Sequence, residues 1–315
     1  MVFPKAQGAD TENRPLCLSM RGETGMRLRV VMADPAGNRT AIVRTPVPVQ
    51  ARADIAAWIL KNEDLRAEQV GFETAPLNGG EGRLEMMGGE FCGNAARSYG
   101  FLLWSAKALA AAEQKGEELS GSDLSGGAAA KSAQGDLRIE ISGTDDLLNV
   151  HCEAEAFSAV AGRTVCRGRS FSQMPMPLSL EYTEEGSPLV ISEGIAHVIL
   201  EDTEADDKIV NDMIARYGAR FPAFGLQFLT GEQLIPVVSV PAAGSLVYES
   251  SCGSGSLAAA WYQAVRSDLQ SHDCLFREPG GTIEVRLWRD ADGAMKGCMG
   301  GDIFLEQEKI IVIDL

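Results

Sequence analysis

Apolar and polar positions alternate through most of this chain, with a few stretches of helical spacing set between them. Residues 27–32 alternate and are rich in Val, Asp34-Pro35-Ala36-Gly37-Asn38 interrupts, and 40–47 resumes a β-branched run, the pattern of a hairpin or strand pair. Residues 53–65 place Ile55, Ala56, Ile59 and Leu60 on one helical face. A short strand is expected at 83–87, then Gly88-Gly89, then a helix from about 94 to 112. Further strands are expected at 137–142, 147–155, 189–191, 195–200, 226–229, 234–240, 282–287, 303–305 and 309–313, with helices at 206–217 and about 255–266. Many strands with one long helix per half predict an α+β fold of two similar parts, each a mostly antiparallel sheet wrapped on a central helix.

Length sharpens this picture. At 315 residues the chain exceeds one ordinary core. The expected division is an extension over 1–25, a first domain over 26–145 completed by the closing strand 306–315, and a second over 146–305. Residues 1–25 are polar and carry no apolar run of signal-peptide type. Residues 113–134 shift to Gly, Ser, Ala and Lys without periodicity, which reads as a solvated insertion. No apolar run is long enough to cross a bilayer. A net charge of −16 argues against nucleic acid or an anionic membrane as partner, since either needs a clustered positive footprint. The seven cysteines, with no CxxC pair, favour reduced thiols and a cytoplasmic setting.

Two segments far apart share one grammar. Glu90-Phe91-Cys92-Gly93-Asn94-Ala95-Ala96-Arg97 and Ser250-Ser251-Cys252-Gly253-Ser254-Gly255-Ser256-Leu257 each set Cys-Gly-polar-small ahead of a helix of small residues. A cysteine at a helix start meets the positive end of the helix dipole and unpaired N–H groups, which are expected to lower its pKa. The same N–H groups bind anions, and glycine lets a carboxylate approach the backbone. One such helix from each half would hold a single α-carboxylate with a sulfur on either face of the α-carbon. Inversion needs that geometry: one group removes the proton and another returns one to the opposite side. Thiols suit general acid–base transfer when their pKa lies near the working pH.

With Val247-Tyr248-Glu249 before the second motif, Asp34-Pro35-Ala36-Gly37-Asn38, Gly194-Ile195-Ala196-His197 and Met299-Gly300-Gly301-Asp302-Ile303, the chain resembles the diaminopimelate epimerase superfamily from about Met26 to Leu315. The resemblance implies an active site in the cleft between two similar halves, Cys92 and Cys252 as the catalytic pair, and neither pyridoxal phosphate nor metal as cofactor. It also implies that Asn38 and Asn94, with Gly93, Gly253, Ser254 and Gly255, hold the amino and carboxylate groups, and that His197 and Glu249 tune or relay protons near the thiols. A small amino acid is the implied partner, with a homodimer left open.

The sequence departs from diaminopimelate epimerase itself. Glu249 is followed by Ser250-Ser251 and at once Cys252, so the family's arginine for a distal carboxylate is missing. Ile195 replaces an asparagine, and residues 221–226 lack another. Losing those partners should abolish affinity for a distal carboxylate. The compact motifs look most like the histidine racemase branch, which makes histidine the leading substrate and Glu68, Glu73 or Glu90 the candidate carboxylate for an imidazole, Glu68 foremost.

Other readings remain. The same fold could isomerise diaminopimelate, another amino acid, or a non-amino-acid substrate as phenazine-biosynthesis relatives do; a thiol-redox or cysteine-hydrolase role would use one cysteine with His197. Cys17, Cys152, Cys166, Cys274 and Cys298 read as small buried apolar residues, and His151 and His272 as structural.

Overall fold

The computed structural model describes residues 25–115, 133–160 and 163–314. The extension over 1–24 and most of the expected insertion lie outside them. The described residues form an α+β protein of four α-helices and seventeen strands, the strands joined edge to edge in one hydrogen-bonded array. Most pairings are antiparallel; Thr40–Val43 with Gln69–Thr74, Arg83–Met86 with Gln134–Ile141, Ile195–Glu201 with Ala223–Thr230 and Gln233–Val240 with Ser271–Glu278 are parallel.

Each half is built on one central helix. Helix α2, Gly93–Lys115, buries Ala95, Ala96, Tyr99, Phe101 and Leu102 against Leu137, Ile139, Leu148, Val150, Cys152 and Cys166. Its Gly100 lies so near the sheet that a Cβ there would stand 2.7 Å from Val150 Cγ1, so the helix axis can sink into the concave face. Helix α4, Gly253–Arg266, buries Leu257, Ala258, Ala259, Ala260 and Ala264 against Phe276, Ile283, Val285, Leu287 and Met299. The run of alanines serves the same close approach. Each half also carries an outer helix: α1, Val49–Lys61, covers Leu28, Val30, Ala41 and Val70, while α3, Asp207–Tyr217, covers Val198, Phe224 and Val237.

One strand belongs to both halves. Met295–Leu305 pairs with Gly281–Arg289 through residues 295–300 and with Arg163–Gln173 through residues 298–305. Its Met299 packs in the core around α4, and its Ile303 and Leu305 in the core around α2. The closing strand Lys309–Ile313 returns to Met26–Asp34 at the amino-terminal edge.

Most predicted elements are present near their expected places. Helix α1 begins four residues earlier than its periodicity indicated. Pro48 sets the entry, and a turn in which Asp64 N–H bonds Asn62 Oδ1 at 3.1 Å ends the helix before Leu65, which still joins the core. Gln69–Thr74, Arg163–Gln173 and Ser271–Glu278 are strands that the apolar pattern did not announce, because polar residues occupy positions on both faces.

Candidate active site

The two Cys-Gly turns lie where α2 and α4 begin, over the shared strand. A Cβ built on Gly253 would stand 2.5 Å from Met299 Cε and 3.9 Å from the amide nitrogen of Asn94; one built on Gly93 would stand 3.3 Å from Met299 Sδ. The helix starts thus face each other over one methionine, at a separation that a side chain on either glycine would disturb. The first amides of a helix have no partner within it, so those of Gly93 and Asn94 and of Gly253 and Ser254 are donors left for a partner outside the helix. Across the junction, Asn94 Nδ2 donates to Ser251 Oγ at 3.2 Å. Behind Asn94 lies Arg97, wholly buried, whose Nε donates to Asn94 Oδ1 at 3.2 Å and whose Nη1 donates to the carbonyls of Gly301 and Asp302 at 3.1 Å each. Burial draws its pKa down to about 10.

Cys92 and Cys252 are both free thiols, the first half-buried and the second buried. The expected lowering of their pKa does not hold. Burial pushes Cys92 up to about 12, with the charges of Glu90 and Glu249 adding to it, although the Ala95 amide nitrogen lies 3.4 Å from Sγ and pulls the other way. Burial also pushes Cys252 well up, reinforced by Glu249 and Glu278. Desolvation of a thiolate therefore outweighs the backbone N–H contacts at the two helix starts. The Glu249 carboxylate, three residues before Cys252, acts on both thiols through its charge. Burial raises its own carboxyl to about 7, helped by the charge of Glu68. A carboxyl titrating there is present in both its ionised and its protonated form near neutral pH.

His197 is fully buried and reaches Cys252 only through Ser254. Its Nε2 lies 3.0 Å from Ser254 Oγ, which lies 3.5 Å from Cys252 Sγ; its Nδ1 lies 3.0 Å from Gln227 Nε2. Burial holds the imidazole down at about 3, so it is neutral and acts as a hydrogen-bond partner rather than a cation. Gly255, one turn into α4, leaves the room that the Gln227 carboxamide fills.

Glu68, Asn38 and Gln69 form a second polar group on the Cys92 side. Asn38 Nδ2 donates to Glu68 Oε2 at 3.3 Å, Gln69 Nε2 donates to Asn38 Oδ1, and Cys92 Sγ lies 2.9 Å from Gln69 Oε1. Ser250 Oγ, from the other half, donates to Glu68 Oε1 at 2.6 Å. Of the other candidate carboxylates, Glu73 is taken by Arg44 and the Tyr99 hydroxyl, and Glu90 is exposed on the loop before Cys92. Cys152 and Cys166 are buried, whereas Cys274 and Cys298 are only partly so; Cys274 lies beside His272, its Sγ 2.9 Å from Nε2. His151 sits between Asp136 and Glu153.

Four polar residues here were not among the sequence candidates. Gln69 and Gln227 lie in strands whose apolar neighbours hide them. Arg97 reads in sequence as a helix-surface charge. Glu278 accepts the Cys252 N–H at 2.6 Å through Oε2 and the Ser256 hydroxyl through Oε1, and burial raises it to about 8. Its one signal was its place before Pro279-Gly280-Gly281, a turn that packs on the Ala36–Gly37 backbone. Among the described residues no helix is long and apolar enough to cross a membrane, and no group of three or more His, Cys, Asp or Glu is placed to hold a metal ion.

Comparison with known proteins bears on this arrangement. Residues 27–297 match the family described as histidine racemase CntK N-terminal domain. The chain is 29% identical to a histidine racemase of Fusobacterium nucleatum over 294 residues, covering 88% of this chain and 97% of that one. It is 24% identical to a histidine racemase of Staphylococcus aureus, covering 80% and 85%. Among solved structures it superposes on a phenazine biosynthesis protein of the PhzF family from Enterococcus faecalis (TM-score 0.51, 11% identity, 92% of this chain and 100% of that one). It superposes equally on a hydroxyproline epimerase from Agrobacterium vitis with bound trans-4-hydroxy-L-proline (TM-score 0.51, 11% identity, 92% and 93%). At such identities these two likenesses concern the fold.

Proposed function

The chain belongs to the histidine racemase CntK N-terminal domain family, and from that membership we propose that it racemises histidine by proton transfer between the thiols of Cys92 and Cys252. It is an isomerase acting on a small amino acid. The observation that supports the two-thiol reading most directly is the meeting of the α2 and α4 starts over Met299.

In this reading the α-carboxylate lies between the opposed first turns, received by the amides at Gly93, Asn94, Gly253 and Ser254. Asn94, held by Arg97 and Ser251, keeps the two turns in register. The α-proton of an amino acid is weakly acidic, so donors already aimed at the carboxylate supply stabilisation as negative charge spreads onto it. One sulfur, as thiolate, takes the α-proton; the other, as thiol, gives its proton to the opposite face. The two sulfurs exchange protonation states in each turnover. Glu249, three residues before Cys252 and titrating near 7, receives and returns the Cys252 proton, while Ser254 and the neutral His197 orient that sulfur. Glu68, at the junction and open to solvent, is the carboxylate assigned to the imidazole N–H of the substrate.

The test is direct. Incubated with L-histidine in deuterium oxide without added cofactor, the purified protein is expected to erase the α-proton resonance and the optical rotation together. No exchange with any common amino acid, histidine included, would overturn the proposal.

A further inference from the structure

The polar group beside Cys92 has a fixed direction. A carboxylate only accepts hydrogen bonds, so the Asn38 side chain must turn its Nδ2 toward Glu68 Oε2, 3.3 Å away. That leaves Asn38 Oδ1 facing Gln69, which must present Nε2 to it. Gln69 then has only Oε1 to offer Cys92, and Oε1 is the atom 2.9 Å from Sγ. An amide oxygen can neither donate to a thiolate nor take a proton at neutral pH. The one form of Cys92 that satisfies this contact is the thiol, with S–H donating, and a hydrogen bond made to the neutral form disfavours the charged one.

The chain of contacts beside Cys252 has no such anchor. Gln227 meets His197 Nδ1 through Nε2, but its Oε1 is buried without a partner, so no acceptor-only group dictates which way the Gln227–His197–Ser254 chain points. Cys252 also lies three residues from a true base, the Glu249 carboxylate, whose charge acts on the thiol. The charged groups acting on Cys92 are Glu90, Glu249 and, from behind, Arg97; those acting on Cys252 are Glu249 and Glu278.

We propose that Gln69, oriented by Asn38 and Glu68, is a positioning residue that holds Cys92 in its protonated form, so that the resting enzyme meets substrate with Cys92 as the acid and the Cys252–Glu249 pair as the base. This inference rests on the two-thiol reading above. In the first half-cycle Glu249 accepts the Cys252 proton, the resulting thiolate takes the α-proton, and Cys92 S–H delivers its proton to the other face. Resetting the enzyme passes one proton from Glu249 to solvent and returns one from solvent to Cys92, so protons balance over the cycle.

The experiment is site-resolved alkylation with iodoacetamide across a pH series, each cysteine quantified by peptide mass spectrometry, in the parent, Gln69→Met and Glu68→Gln. Gln69→Met keeps the bulk and removes the acceptor. Glu68→Gln lets the amide chain reverse, so that Gln69 can present Nε2 to the sulfur. Both are expected to move the Cys92 profile to lower pH, raising its alkylation near neutral pH by about tenfold, the effect of one hydrogen bond of ordinary strength, while the Cys252 profile in Gln69→Met stays in place. A purely structural role would move both cysteines together or neither. An unmoved Cys92 profile in both variants, or a move to higher pH, overturns the inference. Racemisation of histidine by Cys92→Ser and Cys252→Ser separates the two levels: if both are strongly impaired while the Cys92 profile is unmoved, only the role of Gln69 falls, whereas activity near the parent's in either removes the two-thiol reading beneath it.

Discussion

Asn94 Nδ2 donates to Ser251 Oγ across 3.2 Å, and this single contact ties the first turn of α2 to the residue preceding Cys252. Arg97 fixes which end of the amide points across, because a guanidinium only donates and therefore claims Oδ1. Asn94→Ala should lower histidine racemisation by about 10- to 100-fold and the unfolding free energy by about 1–2 kcal/mol, since Ser251 and Arg97 both lose a buried partner. Chiral chromatography and denaturant melts measure the two effects. Full activity would mean that the two turns keep register without it.

The cysteines carry the largest expected effect. Cys92→Ser and Cys252→Ser should each reduce racemisation by about 10²- to 10⁴-fold, because a hydroxyl cannot reach the protonation balance of a thiol beside Glu249. Deuterium incorporation without inversion in one of them would identify the sulfur that still abstracts the proton.

Two carboxyls make stability fall as pH rises. Glu249 and Glu278 titrate at about 7 and about 8 in the folded protein, against 4.5 for an ordinary glutamate, chiefly because burial penalises the charge. The folded chain therefore holds these protons more tightly than the unfolded chain does. Their contribution is complete below about 4.5 and is lost progressively as pH climbs toward 8. Glu278→Gln, which removes the charge and keeps an acceptor for the Cys252 amide, should melt above the parent near pH 9, by on the order of 1–3 kcal/mol, and close to it near pH 4. Equal melting differences at both pH values would contradict the raised Glu278 carboxyl.

Activity should respond to Glu249 in the opposite sense. As the carboxyl that takes the Cys252 proton, it works only when ionised, so kcat/KM should rise through about pH 7. Glu249→Gln should flatten that limb and slow the reaction at every pH.

Ser254 is the one side chain between His197 and Cys252. Ser254→Ala should cost about tenfold in kcat with little change in melting temperature, matching one lost hydrogen bond. Since burial holds the imidazole down at about 3, it stays neutral near neutral pH, and the acid limb of the pH profile should not move.

If the two free thiols bracket one α-carbon as proposed, they should also be open to oxidation. A mild oxidant is expected to inactivate the enzyme, a reductant to restore it, and a non-reducing digest to yield a Cys92–Cys252 peptide. Inactivation without that peptide would place the sulfurs too far apart for the proposed reaction.

The residues that announce this chemistry do so because their requirement is local. A cysteine, a glycine and a small polar residue before an alanine-rich helix specify a helix start that can receive an anion, and two copies of that pattern marked Cys92 and Cys252 as a pair. The alternating strands, the helices α2 to α4 and the turn around Gly37 follow from short-range periodicity and backbone preference in the same way. Gln69, Arg97, Gln227 and Glu278 carry no such mark: each is an ordinary polar residue until the fold surrounds it.

The sequence by itself determined which two sulfurs stand at helix starts and that the helices carrying them are matched. Only the tertiary structure decided how those sulfurs titrate. The pull of a helix end is written in the residues next to it, but the loss of solvent that overrides it depends on which side chains, 157 positions apart in the case of Asn94 and Ser251, close over the same few ångströms. Burial and the long-range partners it enforces, Glu278 behind Cys252 and Gln69 against Cys92, are properties of the packed whole.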